Sequence, residues 1–221
     1  FASCKKDIAD ATDAGLKLHR ATALAPVAGG SALNLTNANG TVSLSATGGI
    51  YTITNYFLDQ GIYTHPDSIY HRPNGTYYFD FSENDNVKGA TATTPPLSDS
   101  WDLSFSGTGN GYINRNTAAG TVFRYKDLAF ASVTLSDWST AVTPVIPTGG
   151  FGHNAMIMSG APHHNPGTGT TGWFNYYFPN HEVLPIYDRT LLVKDENDNV
   201  YAVEFVSVYE NGTPIATPPS D

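Results

Sequence analysis

The chain has 221 residues, 40% hydrophobic, 12% aromatic and only 14% charged, with a formal net charge of -9. This is enough apolar material for one good core, and 21 Gly, 14 Pro and 13 Tyr favour many short strands over long helices. An acidic balance with sparse Lys and Arg argues against nucleic acid as a partner, and no apolar run is long enough to cross a bilayer as a helix.

The N-terminal segment Phe1-Ala2-Ser3-Cys4-Lys5-Lys6-Asp7 holds the single cysteine, so an intrachain disulfide is excluded. Small residues before a cysteine, followed by a polar stretch, resemble the end of a bacterial lipoprotein signal, with Cys4 as the lipidated residue and Phe1 where Leu is commoner. The alternative for Cys4 is a buried thiol. Residues 1–30 read as a lipoprotein signal remnant and flexible tether, because 8–20 could form a short helix but has no apolar stripe. Residues 31–221 read as the folded domain. Within it, 33–44, 49–58 and 75–81 carry strand-like content punctuated by Asn-Gly, Gly-Gly and Pro-Asn-Gly, which predicts hairpins.

Pro95-Pro96 precedes Trp101-Asp102-Leu103-Ser104-Phe105, a Gly/Asn/Ala-rich stretch runs on to Gly120, and Phe130-Ala131-Ser132-Val133 follows. Residues 149–172 show no usable periodicity and are expected to form a long surface loop. The last third is the most regular: 190–194 and 200–209 are rich in β-branched and aromatic residues and flank the polar turn Asp195-Glu196-Asn197-Asp198-Asn199. Ala202, Glu204, Val206 and Val208 share one face of the second strand, and Tyr201, Val203, Phe205, Ser207 and Tyr209 the other. Neither face is cleanly polar, so both are expected to be largely covered. The fold expected is all-β: a single antiparallel, sandwich-like domain of several hairpins.

The loop at 149–172 concentrates His153, Met156, Met158, His163 and His164, both methionines and three of the seven histidines of the chain. Imidazole nitrogen and thioether sulfur are the donors that ligate haem iron axially. Phe151, Ile157, Trp173, Phe174, Tyr176 and Tyr177 could wall a porphyrin. The competing readings are that His163-His164 is simply solvated and that Met156 and Met158 form one face of a short strand packed into the core. His181 is a secondary candidate, while His65, His71 and His19 lie elsewhere. Asp195, Asn197 and Asn199 have the spacing of the first three ligands of a calcium loop, but Gly is missing at the sixth place and Val206 stands where the bidentate Glu belongs, so a plain turn is preferred. No nucleophile elbow, phosphate loop or His-Glu-x-x-His is present, and enzymatic activity is not expected. Asn34, Asn39, Asn74 and Asn211 head Asn-x-Thr triplets, read as incidental.

Two blocks carry a family resemblance. Trp173-Phe174-Asn175-Tyr176-Tyr177-Phe178, His181-Glu182-Val183-Leu184-Pro185 and Asp188-Arg189-Thr190 resemble the C-terminal segment of the HmuY-like proteins, haem-binding surface lipoproteins of Bacteroidetes-type bacteria. Trp101 to Phe105, the glycine-rich stretch and Phe130 to Val133 look like the family's early strand, loop and next strand, in the same order. The resemblance covers roughly residues 76–210. It implies haem held between two axial side chains, two histidines or in some relatives two methionines, in a protein lipid-anchored to the outer membrane at the cell surface, or released from it, that passes haem to a TonB-dependent transporter. No His or Met of this chain falls unambiguously on a ligand position. The competing function is a cofactor-free surface lipoprotein that binds protein or glycan through its Tyr- and Trp-rich surface.

Overall fold

The computed structural model describes residues 26–36, 40–56, 76–86, 101–107, 111–159, 171–180 and 182–212, together with the backbone of 2–6. The regular C-terminal stretch forms the expected hairpin, β13 (Arg189–Lys194) against β14 (Val200–Ser207), with Leu191 opposite Val203 and Lys194 opposite Val200. Its turn is held by Asp195, 1% exposed, whose carboxylate accepts the N–H groups of Asn197 and Asn199 at 2.8 Å, the Asn199 amide at 2.7 Å and the Tyr201 hydroxyl at 3.0 Å. Asp198 takes the left-handed conformation that closes the loop.

This hairpin sits inside a seven-stranded sheet. With β1 (Ala2–Lys6), β2 (Leu33–Asn34), β3 (Thr41–Leu44), β4 (Ile50–Thr54) and β9 (Val122–Asp127), the order is β2-β3-β4-β1-β14-β13-β9, and the neighbours are antiparallel. A four-stranded antiparallel sheet has the order β6-β5-β7-β8, from β5 (Tyr77–Asp80), β6 (Asp85–Asn86), β7 (Leu103–Ser106) and β8 (Tyr112–Arg115). The third sheet is β10 (Gly152–Ile157), β11 (Gly172–Tyr177) and β12 (Glu182–Pro185).

Alternation explains the layering. Val42, Ile53, Phe123, Tyr125, Leu191, Val193, Tyr201, Val203 and Phe205 of the large sheet meet Phe79, Leu103, Phe105 and Ile113 of the four-stranded sheet, and Phe81 of the turn after β5, in one buried cluster that also takes in Phe151, Trp173 and Phe174. Phe81 stacks on Tyr201 at 5.2 Å, and Phe105 meets Phe205 edge-on at 6.3 Å. On the opposite face of β13 and β14, Leu192, Val200 and Ala202 are covered by Phe130, Val133 and Leu135, with Trp138 of the short helix α1 (Asp137–Thr140) beside them. The hairpin is therefore buried on both sides, as its mixed faces predict, and the domain is an all-β, predominantly antiparallel sandwich.

The N-terminal part of the chain differs from the expected tether where it is described. Ala2–Lys6 runs as β1 between β4 and β14, with Cys4 opposite Thr52 and Glu204. Pro26 is buried and the Gly29 N–H donates to Leu44 O at 2.9 Å, so packing begins before residue 31. Two open sheet edges, on β4 and β14, supply backbone partners that local composition cannot reveal.

One end of the sandwich gathers acidic side chains, two of them, Asp102 and Asp195, buried. Asp102, 2% exposed, accepts the Phe81 N–H at 2.8 Å and the Thr121 hydroxyl at 3.4 Å. Burial, helped by the charges of Asp80, Asp195 and Glu196, pushes its carboxyl up to about 7, although the Phe81 hydrogen bond opposes the shift. An unfolded chain releases this proton near pH ~4, so the folded state binds the extra proton between pH ~4 and ~7 and loses stability as the pH rises through that window. Three pH units correspond to roughly 4 kcal/mol. Asp102→Asn is expected to flatten the fall in urea midpoint between pH 4 and 7.5; an unchanged slope would show that Asp102 is not its source.

Candidate functional site

The stretch expected as a loop contains β10. Its Gly, His, Asn and Ala content has little β propensity of its own, and its pairing comes from β11, which runs parallel to it. Gly172 allows this approach, and Gly152 leaves room for Tyr112 of β8. A Cβ on Gly172 would overlap the Gly152 carbonyl oxygen, and one on Gly152 would stand 2.8 Å from a ring carbon of Tyr112.

The pairing is irregular between Gly152 and Ala155: His153 lies opposite Phe174, Ala155 opposite Asn175 and Met156 opposite Tyr176. In a regular strand, residues three apart point to opposite faces. The bulge here places His153 and Met156 together on the face of Phe174 and Tyr176. Ring contacts follow that face: His153 to Phe174 at 6.0 Å, Tyr112 to Phe174 at 6.2 Å and Tyr176 to Phe178 at 6.5 Å.

The side chains differ in access. Met156 is 52% and Met158 62% exposed, so neither packs into the core. His153 is half-buried, and its Nε2 is enclosed with no hydrogen-bond partner among the described residues, an arrangement that costs about 1–3 kcal/mol. Tyr176 is half-buried and Phe178 exposed. Several expected walls are core residues instead. Trp173 is 2% exposed and donates its indole N–H to Gly111 O at 2.8 Å, while Phe151, Phe174 and Tyr177 are buried and Ile157 is half-buried. Alternating aromatics on a strand covered on both sides read alike in sequence whether they face core or solvent. His163, His164 and His181, with His19, His65 and His71, lie outside the described residues, as does the Cys4 side chain.

Sequence reasoning assigned no role to Arg189. Its guanidinium, 6% exposed, donates from Nε and Nη2 to the Asp127 carboxylate at 2.7 and 3.1 Å and from Nη1 to Gly172 O at 2.8 Å and Asn154 Oδ1 at 3.4 Å. It also lies 4.5 Å from the Tyr125 ring centre. Asn154 passes the contact on, donating to Asn175 Oδ1 at 3.0 Å. This fork fixes β10 and β11 against β9 and β13. Its position in the Asp188-Arg189-Thr190 block was the only signal.

The interior offers no room for a cofactor at the void lined by Ile53, Tyr56, Phe79, Phe81, Leu103, Phe105, Val203 and Phe205, which is about the size of one water. The Asp195 carboxylate is turned inward onto its own turn, and no group of three or more His, Cys, Asp or Glu among the described residues is placed to hold a metal ion. Among the described residues, the exposed soft donors are the thioethers of Met156, on the outer strand of the small sheet, and Met158, just past its end. No family model matches the chain, and neither a curated protein nor a solved structure matches it.

Gly172→Ala is expected to force β10 from β11 and lower stability by roughly 1–3 kcal/mol, as overpacking does. Urea unfolding at constant m-value checks this, and a midpoint equal to wild type would mean that the strands separate freely.

Proposed function

We propose that this chain is the haem-capturing domain of an HmuY-like surface lipoprotein, anchored at the outer membrane through lipid on Cys4 and handing haem to a TonB-dependent transporter. The observation that carries the reading is the pair of exposed thioethers, Met156, opposite Tyr176 of the family block, and Met158, two residues on, with Phe178 exposed next to Tyr176. Met156 and Met158 would offer soft neutral thioether sulfurs to haem iron, the donor chemistry that such iron accepts. The two rings supply apolar contact for a macrocycle.

His153 is the imidazole candidate on the same face. Its enclosed Nε2 must turn outward to reach a ligand, and doing so relieves an unsatisfied polar atom. Trp173 serves as the support behind the face rather than as its wall. His163, His164 and His181 stay candidates from the sequence alone. Lipid attachment with cleavage before Cys4 removes Ala2 and Ser3 from β1 and leaves Cys4 to Lys6 of that strand.

Haemin titration followed by absorbance, on wild type and on His153→Ala, Met156→Ala, Met158→Ala, His163→Ala and His164→Ala, tests the reading. The expected result is a saturable, near-stoichiometric Soret shift that loses at least tenfold in affinity when a thioether ligand is removed, about 1.4 kcal/mol or more. A shift no larger than that of albumin would retire haem capture and favour the cofactor-free binding module. Expression in a bacterial host with a labelled fatty acid is expected to mark wild type and not Cys4→Ala; label on neither would remove the anchor.

A further inference from the structure

From Trp138 to His181 the chain runs 44 residues without one Asp, Glu, Lys or Arg, although 31 such residues occur in the rest. The whole of the -9 charge therefore sits outside this stretch. β10 lies within it and is the outer strand of its sheet: β11 pairs with one side, and on the other side, past Phe151, which bridges Ile113, no strand pairs with it among the described residues. Natural sheet edges are commonly guarded by a lysine, a proline or an inward charge. Gly152–Ile157 has none of these. Only the bulge interrupts it, and Ala155 to Met158 continue beyond the bulge with Met156 and Met158 exposed.

We infer that this charge-free edge and its Met156, Met158 and Phe178 patch are a self-association surface, on which a second copy of the chain docks with β10 against β10. Charge argues for this occupant. Two molecules of charge -9 repel wherever acidic surfaces meet, and a two-fold contact sets each patch against itself, so the neutral surface is where they approach without like charges opposed. A partner recognised by charge would need complementary groups, and this stretch carries none. Met and Phe are residue types enriched at the buried centre of interfaces. The inference stands without haem binding, although both use the methionines.

Multi-angle light scattering and sedimentation equilibrium of the haem-free full chain test it. The molar mass is expected to rise from 23.7 kDa toward twice that value with concentration, and further as salt screens the net charge. Met158→Lys, beyond the strand, and Ala155→Lys, within it, are expected to weaken association roughly tenfold or more by opposing like charges across the pair. Met156→Leu with Met158→Leu keeps the apolar surface and is expected to keep the dimer while removing thioether donors, so loss of haem binding and loss of association are read separately. A monomer at every concentration and salt, or a dimer untouched by both lysine variants, overturns the inference. Circular dichroism melts identify a variant that has merely unfolded, and Met158→Lys, outside regular structure, remains informative if Ala155→Lys does so.

Discussion

The geometry of the small sheet depends on one buried cation. The Arg189 guanidinium on β13 gathers Asp127 of β9, the Gly172 carbonyl at the start of β11 and Asn154 of β10, and stacks on Tyr125. A guanidinium out of water is tolerated only where its donors are met, and Asp127 meets two of them in parallel. Because Asp127 is itself half open to solvent, the pair is less costly than a fully buried one. Everything on the face of His153, Met156 and Tyr176 is positioned from this anchor.

Around it, the structure joins two kinds of surface. The large sheet is closed on both sides, and its aromatic clusters leave a void of about one water in the core. The small sheet has an outer strand with a solvent-facing thioether, a second one just past its end, and a half-buried imidazole. A closed core thus lies next to a sheet whose outer strand is open among the described residues. The proposals for haem and for self-association share this edge because thioether sulfur serves both: it is a soft ligand to iron and a deformable apolar contact.

Much of the fold was legible. The β13–β14 hairpin, its double burial, the plain turn at Asp195 and the early hairpins around β3, β4 and β5 follow from β-branched content and turn residues that act locally. The strand in the supposed loop was not legible, because Gly152, His153, Asn154 and Ala155 become a strand only through the parallel partner supplied by Trp173 to Tyr177. The same applies to Ala2–Lys6, which lies between two edges formed by distant residues. At the candidate site, the donor types were visible but their faces were not. A bulge between His153 and Ala155 reverses the alternation that sequence reading assumes, and it exposes Met156 where a core strand would have buried it.

By itself the sequence determined the class: an acidic, glycine- and tyrosine-rich chain with alternating apolar runs forms a β domain, and it holds its soft donors in one short stretch. Composition and turn chemistry act over a few residues, so they survive any arrangement of the rest. Only the tertiary structure decided which aromatics became core, which thioethers met solvent and which charge joined the sheets. Those outcomes depend on contacts such as Arg189 with Asp127, 62 positions apart, and on the register of strands that meet only when the chain has folded.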